Sequence, residues 1–192
     1  MKRVLVAAFA LVSLSKVVNA QTGSLLVGGN FGIGSSKSTA TPNDIKQNTI
    51  VFSPTVGYQF NEQWTAGVVS SIQHGKYTNS SGQTSKSSVL SVGPFIRYST
   101  SLSPIFSLYG QVQGMFGSSK TDGTKTQNST YVNAFPAIFV NVKNGFGLNF
   151  NFGGIEYGAV KPTGSKANTS FSLTFGQSAN IGISKNFSLR KK

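Results

Sequence analysis

The feature that most constrains the fold is an alternation of apolar and polar side chains that recurs in eight segments. In one of them Phe106, Leu108 and Val112 alternate with Ser107 and Gln111. A period of two residues is that of a β-strand with one apolar face, and no segment shows the 3.6-residue period of an amphipathic helix. The sequence therefore predicts an all-β protein with eight strands near residues 24–33, 50–60, 64–73, 90–98, 106–116, 132–142, 146–152 and 171–187.

The connections between these segments alternate in length. Short connections are expected at residues 61–62, 100–103 and 143–145, and long loops at 35–47, 75–86, 118–127 and 159–168. Asn144-Gly145 is a dipeptide that tolerates the positive φ angles of a type I′ hairpin turn. Successive strands are thus predicted to run antiparallel, with short turns at one end of the sheet and long loops at the other.

Three prolines interrupt the predicted strands. Pro54, Pro94 and Pro136 lie 40 and 42 residues apart. Because proline has no N–H to donate to a neighbouring strand, a β-bulge is expected at each of them.

The polar face of the strands distinguishes a soluble barrel from a membrane barrel. Charged residues make up 11% of the chain, against about 25% in an average soluble domain. The polar strand positions carry Ser, Thr, Asn, Gln and Gly, with Arg97 the one clear charge. Small neutral groups suit a narrow lumen, and an uncharged apolar face suits lipid. The predicted fold is therefore an eight-stranded antiparallel up-and-down transmembrane β-barrel.

The first twenty residues have the organisation of a signal peptide. Basic Lys2-Arg3 precedes an apolar run over residues 4–14, and Val18-Asn19-Ala20 forms a small-x-small cleavage pattern. The apolar run is too short for a transmembrane helix, which needs about 20 residues. We expect a cleaved signal peptide at residues 1–20 and one barrel domain at residues 21–192.

Strand parity also predicts which polar side chains point into the lumen. Because eight strands enclose a space only wide enough for side chains to fill, these groups are expected to plug the barrel. The predicted lumen residues are Arg97, Tyr109, Gln111, Gln113, Tyr131, Asn133, Asn141, Asn149 and Asn151. No acidic residue is expected at a lumen position in mid-strand. Arg97 is therefore expected either to bond to amide or phenol oxygens, or to reach Glu62, or to lie hydrated at the periplasmic mouth of the barrel.

The charge balance is strongly basic, with 17 Lys and Arg against 4 Asp and Glu and a net charge of +13. The expected long loops carry two lysines each, and this cationic rim either contacts phosphates of lipopolysaccharide or another surface ligand, or simply keeps the loops soluble. Nothing resembling a nucleic-acid recognition element accompanies the charge. The rim lysines are Lys37, Lys46, Lys76, Lys86, Lys120, Lys125, Lys161 and Lys166.

Residues able to support catalysis or bind metals are scarce. The chain has no cysteine and one histidine, His74, which makes a thiolate or histidine metal site improbable. His74 with Asp44 or Asp122 and a serine is the sole combination that could serve as a nucleophilic triad. We therefore expect a protein that is not an enzyme, with no catalytic residues, no metal and no cofactor.

The hairpin sequences GPFIRYSTSLSPIFSLYGQV at residues 93–112 and AFPAIFVNVKNGFGLNFNFGGIEY at residues 134–157, with SANIGISKNF at residues 178–187, resemble the small outer-membrane β-barrel proteins of Bacteroidota, with an OmpA/OmpX-like barrel. The resemblance implies a location in the bacterial outer membrane, in contact with its lipid and lipopolysaccharide, and a monomer. The expected role is structural or one of surface interaction. A narrow passive pore and a secreted soluble lipocalin-like binder are the alternatives.

Overall fold

The computed structural model is a closed barrel in which each strand pairs antiparallel with its neighbours in sequence, and the first strand pairs with the last. The structure describes residues 23–40 and 43–189, apart from the side chains of residues 39, 40, 43, 44 and 177–179. The expected signal peptide lies outside the described residues. The strands are β1 Ser24–Ala40, β2 Asn43–Gln59, β3 Trp64–Thr78, β4 Thr84–Ser101, β5 Phe106–Thr121, β6 Thr124–Lys143, β7 Phe146–Pro162 and β8 Asn168–Ser188.

The short turns form as expected at the end of the barrel that also holds Ser24 and Ser188. Asn144 and Gly145 have φ angles of 51° and 75°, as the predicted type I′ turn requires. In the β2–β3 turn, the side-chain oxygen of Asn61 accepts hydrogen bonds from the backbone N–H groups of Gln63 and Trp64. Side-chain capping and a left-handed dipeptide therefore set these connections.

The predicted long loops at the opposite end are wrong. Strand pairing continues through half or more of each predicted loop, so that β3 and β4 are joined by residues 79–83, β5 and β6 by residues 122–123, and β7 and β8 by residues 163–167. Asp122 and Gly123 both have positive φ angles, 49° and 83°, and make a two-residue turn. The hydrophobic alternation ends before the strands do, because polar side chains occupy both faces there.

The three prolines interrupt pairing on one side only. Pro54, Pro94 and Pro136 stay in register with Gly29, Val68 and Gly110 respectively. On their other sides, the matched pairs skip the proline. The predicted bulge is correct at Pro136, where β6 and β7 shift register between Ala134 and Ala137. At the other two prolines the ladder is broken without a register shift.

The outer surface of the barrel is apolar along the middle of the strands. Val112 in β5 is 48% exposed, and Phe116 in the same strand is 61% exposed. Aromatic side chains lie near the short turns, where the rings of Trp64 and Tyr98 pack edge to face with their centroids 5.0 Å apart. The part of the chain that the structure describes contains no helix long and apolar enough to cross a bilayer.

The interruption at Pro94 brings two backbones together and gives a first testable prediction. A Cβ on Gly93 would collide with the carbonyl of Gly114 and with Met115, whereas a Cβ on Gly114 would meet nothing within 4 Å. Gly93→Ala should lower the free energy of unfolding by about 1–3 kcal/mol through overpacking. Gly114→Ala, the matched control, should be neutral or raise it by up to about 1 kcal/mol. Urea unfolding of the refolded barrels measures both, and equal effects would refute the close approach at Gly93.

Candidate functional site

The inside of the barrel contains a cavity of about 490 Å³. Most of the predicted lumen residues line it, and they come from β4, β5, β6 and β7. Asn141 lies elsewhere: its Oδ1 accepts a hydrogen bond from the N–H of Gly145, so it caps the β6–β7 turn. The predicted residues on the cavity wall are Arg97, Tyr109, Gln111, Gln113, Tyr131, Asn133, Asn149 and Asn151.

Arg97 is held by one amide and two aromatic rings. Its Nε and Nη2 both donate to Oε1 of Gln111, at 2.9 and 2.7 Å. The guanidinium carbon lies 4.0 Å from the ring centroid of Tyr109 and 5.7 Å from that of Phe95. Nε2 of Gln111 in turn donates a hydrogen bond to Oε1 of Gln113 at 2.7 Å. Amide hydrogen bonds and cation–π contacts thus stabilise a cation inside the barrel.

Arg97 lies between two cavities of the lumen. A second cavity of about 150 Å³ lies toward the short turns, and Glu62, Thr65 and Gln59 are on its wall. The residues that line both cavities stand between them, and they are Leu26, Arg97, Tyr109 and Ser184. Tyr109 and Leu26 are buried, at 5% and 4% exposure. We call these four residues the partition.

The lumen also has an apolar part that the sequence pattern did not reveal. Leu26, Val69, Phe95 and Met115 are buried together, and Tyr131 packs against them. Each occupies an inward position on a strand face that is otherwise polar. Strand parity could have identified them, because each is an even number of positions away from a lumen residue on its own strand. Phe95, for instance, is two residues from Arg97.

The expectation that no acidic side chain lies in the lumen in mid-strand is wrong. Glu156 lines the large cavity, and its Oε2 accepts a hydrogen bond from Nδ2 of Asn133 at 3.2 Å. The register shift near Gly153-Gly154 changes the phase of β7, so that Ile155 points outward and Glu156 inward. The apolar parity of β7 changes there from even to odd positions, which is the signal that could have revealed it.

The rim lysines lie on strands and not in loops, with Lys166 in the β7–β8 turn the exception. All eight are exposed. Strand parity places six of the other seven on the outer face, in line with the outward apolar residues of their own strands. Lys125 has the opposite parity in β6, and the register shift between Ser119 and Lys120 brings it opposite Lys120. Six of them stand directly opposite one another in the ladders, as the pairs Lys37 with Lys46, Lys76 with Lys86, and Lys120 with Lys125.

These lysines share one height on the barrel. We call the end of the barrel opposite Ser24 and Ser188 the long-hairpin end. In six strands a lysine lies four positions from the last large outward apolar residue, always toward this end. The six combinations are Ile33 with Lys37, Ile50 with Lys46, Ile72 with Lys76, Leu90 with Lys86, Phe116 with Lys120, and Tyr157 with Lys161. We call Lys37, Lys46, Lys76, Lys86, Lys120, Lys125 and Lys161 the lysine belt.

Asp122 joins two hairpins above the belt. Its carboxylate accepts hydrogen bonds from the N–H of Lys86 and the hydroxyl of Ser85, both at 2.7 Å, and its own N–H donates to the Lys86 carbonyl. The Lys86 N–H first, and then the Ser85 hydroxyl, hold the pKa of the exposed Asp122 carboxyl below its ordinary value. The carboxylate is therefore ionised at neutral pH and keeps the contact.

Groups suited to metal binding are dispersed. Within residues 23–40 and 43–189, no three His, Cys, Asp or Glu side chains come together in a way that could hold a metal ion. The carboxylate of Asp122 is engaged with β4, and His74 is exposed on the outer face of β3.

Comparison with known structures finds other β-barrels at low sequence identity. The crystal structure of Neisserial surface protein A (NspA) aligns with a TM-score of 0.44 at 14% identity, over 86% of this chain and 97% of that one. The translocator domain of the autotransporter NalP from Neisseria meningitidis gives 0.46 at 12% identity, over 100% and 76%. A structure from the de novo design of transmembrane β-barrels gives 0.33 at 13% identity, over 90% and 98%. No protein-family model and no curated protein sequence matches the chain.

The partition generates a second prediction. Because it separates the two cavities, the parent barrel should conduct no ions in planar-bilayer recordings. Arg97→Ala removes the guanidinium shared by both walls and should produce a measurable leak. Gln113→Ala is the matched control, since Gln113 lines only the large cavity, and it should stay silent. Stable channels in the parent would contradict the partition.

Proposed function

We propose that this protein is an integral outer-membrane barrel with a structural or surface-interaction role, exerted through its lysine belt. The observation that carries the proposal is the outward apolar surface, because a soluble barrel would bury its apolar face. Eight strands, with both chain ends on one side of the barrel and hairpins that extend beyond the apolar band on the other, are typical of small outer-membrane barrels. The resemblance of the hairpin sequences to the outer-membrane barrels of Bacteroidota supports the same location.

The height of the apolar surface fits a membrane. In β5, Phe106 at the short-turn end and Phe116 at the other end are ten residues apart. At about 3.3 Å per residue and a tilt of about 40°, this corresponds to a band about 25 Å tall. The aromatic residues near the short turns, such as Trp64 and Tyr98, lie where an interfacial girdle is expected.

The two alternatives are less compatible with the lumen. A lipocalin-like binder would need an apolar cavity, whereas amides, hydroxyls, Arg97 and Glu156 form much of this cavity wall. A passive pore would need a continuous channel, whereas the side chains of the partition, with Leu26 and Tyr109 buried, lie between the two cavities. A plugged barrel leaves the outer face and the exposed hairpins as the surfaces that can act on other molecules.

The height of the lysine belt supports a contact with phosphate groups. Four residues beyond the apolar band correspond to about 13 Å along a strand, or about 10 Å in height after tilt, and this level lies among lipid headgroups. Like charges directly opposite in a ladder are destabilising on their own. Phosphates of lipopolysaccharide would bring each lysine pair an opposite charge. The same side chains that weaken the isolated hairpins would then strengthen them in the outer leaflet.

Lysine substitution on the two faces of β5 tests the membrane orientation. Val112→Lys puts a charge on the outer face in mid-strand and should cost about 2–4 kcal/mol in phospholipid vesicles. Gln113→Lys, on the next residue, points into the lumen beside Asn133, the hydrogen-bond partner of Glu156. It should cost less. Urea unfolding and the mobility difference between unboiled and boiled samples on a denaturing gel measure both variants. Equal losses would refute the proposed orientation.

The lysine belt predicts that the effect of Lys76→Gln on the free energy of unfolding changes sign with the lipid environment. In neutral detergent micelles, Lys76→Gln relieves the repulsion from Lys86 and should raise the free energy of unfolding by about 0.2–1 kcal/mol. With lipopolysaccharide added, the same substitution removes a phosphate contact and should lower it. High salt should weaken both effects, because exposed charges are screened.

The control for this experiment is Lys143→Gln. Lys143 stands opposite Phe146 at the short-turn end of the barrel, with no lysine across the ladder. Lys143→Gln should leave the free energy of unfolding unchanged both in neutral micelles and with lipopolysaccharide added. A Lys76→Gln effect with the same sign in both media, or one independent of salt, would leave the lysines as solubilising groups only.

A further inference from the structure

The seam between β1 and β8 is paired over only part of its length. These strands pair from Ser24 with Ser188 up to Gly29 with Ile183. Beyond Gly29, the described part of β1 is in register with β2 alone, and residues 168–182 of β8 have no register partner on β1. Toward the long-hairpin end, the two strands therefore do not close the barrel wall by pairing with each other.

The large cavity reaches the seam at the level where pairing ends. Its wall includes Gly29 and Asn30 of β1 and Gly182 and Ile183 of β8. A Cβ on Gly182 would collide with the side chain of Asn30, so these two residues face each other across the seam. Ile183 has the outward parity of Ile181 and is 54% exposed, yet it also lines the cavity. The cavity therefore extends from the lumen to the outer surface of the barrel at this point.

The strand segments beyond the last pair are exposed on both faces. Residues 168–176 of β8 are all exposed, and so are residues 30–38 of β1 apart from Gly32. Ser172 has inward parity and stands in one ladder row with Glu156 and Asn133, which are half-buried where Ser172 is exposed. The inward side chains of β8 thus remain accessible through the unpaired part of the seam. We call the gap between β1 beyond Gly29 and β8 before Ile183 the seam opening.

The outer rim of the seam opening is apolar. Residues 168–182 of β8 contain no charged side chain. Five large apolar residues of the two strands are exposed by two thirds or more, namely Phe31 at 66%, Ile33 at 75%, Phe171 at 68%, Leu173 at 68% and Phe175 at 73%. They belong to the outward apolar band of the barrel, so the seam opening connects the polar lumen with a surface that suits an acyl chain.

The cavity wall carries one cation and one anion whose hydrogen-bond partners are amides. Arg97 uses two of its five N–H donors on Oε1 of Gln111, and Glu156 accepts from Asn133. The side-chain oxygens of Asn133 and Asn149 are buried and accept no hydrogen bond from the part of the chain that the structure describes. A molecule that brings an anionic group to Arg97, an ammonium group to Glu156 and N–H donors to the amide oxygens would match this wall.

We infer that the cavity and the seam opening bind a single-chain phospholipid with an amine-bearing headgroup. The headgroup lies in the cavity, with its phosphate toward Arg97 and its ammonium toward Glu156, and the acyl chain leaves through the seam opening into the bilayer. A volume of about 490 Å³ is within the range of small-molecule sites. One acyl chain suits an opening that begins between two strands still paired at Gly29 with Ile183. The inference rests on the membrane location that is part of the proposed function.

Competition between two lysophospholipids tests the headgroup site. The barrel is refolded into phosphatidylcholine vesicles that contain oleoyl lysophosphatidylethanolamine and oleoyl lysophosphatidylcholine in equal amounts, purified in neutral detergent, and analysed by native mass spectrometry. One lysophosphatidylethanolamine should be retained per chain, with a preference of about tenfold or more, because the trimethylammonium group of the other lipid has no N–H to donate.

Charge removal at Glu156 should weaken that preference. Glu156→Gln keeps the size of the side chain but removes the carboxylate that faces the ammonium group, and the two lysolipids should then be retained in closer amounts. Glu62→Gln is the matched control, because Glu62 lines the small cavity and not the large one. It should keep the preference of the parent.

A bulky substitution at the seam tests the route of the acyl chain. Asn30→Trp places an indole between Asn30 and Gly182, inside the seam opening, and should abolish retention of the lysolipid. Phe31→Trp, on the next residue, adds its bulk on the outer face and should retain it. The mobility difference between unboiled and boiled samples on a denaturing gel shows that each variant is folded.

Three results would overturn the inference. They are equal retention of the two lysolipids by the parent, a preference that Glu156→Gln leaves unchanged, and retention by folded Asn30→Trp at the level of the parent. Failure of the membrane proposal would look different, because the barrel would then remain soluble without detergent and not associate with the vesicles.

Discussion

The structure depends on the need to pair every backbone N–H and C=O group that lies within lipid. A sheet with free edges leaves a row of such groups unpaired, and closure into a barrel removes the edges. Closure explains why each strand pairs with its sequence neighbours and why β1 meets β8. It also explains why the prolines are tolerated only where one side of the ladder stays intact, as at Pro54 with Gly29. The seam between β1 and β8 is paired only from Ser24 with Ser188 to Gly29 with Ile183, so beyond Gly29 this constraint is not met by pairing between these two strands.

The two faces of the barrel meet different requirements, although both follow the same two-residue period: the outer face must be uncharged in mid-strand, and the inner face must fill a narrow lumen. The outer face excludes charge along the mid-strand region and concentrates it in the lysine belt, four residues beyond the apolar band. The inner face fills a narrow space with side chains that satisfy one another, of which Arg97 and Gln111 are the clearest pair. Charge inside is compatible with this arrangement because amide oxygens and aromatic rings supply its contacts.

The eight strands, the tight turn at Asn144-Gly145 and most of the lumen residues could be predicted from the sequence, because alternation and left-handed turn residues are local properties. The ends of the long hairpins could not be predicted, because polar side chains lie on both faces of the strands there and the apolar–polar alternation stops although strand pairing continues. The phase change of β7 at Gly153-Gly154 moved Glu156 into the lumen, and only the switch of apolar parity at Ile155 and Tyr157 hints at it. The partial closure of the seam depends on pairing between the two ends of the chain, about which a local pattern carries no information.

The tight turn at Asp122-Gly123 has a consequence for how the barrel is recognised from outside. Because the hairpins stay paired almost to their tips and Asp122 ties the β5–β6 tip to β4, their backbone is already engaged in ladders. A protease needs an extended, unpaired segment, and it would find one at residues 79–83 or 163–167 more readily than at residues 122–123.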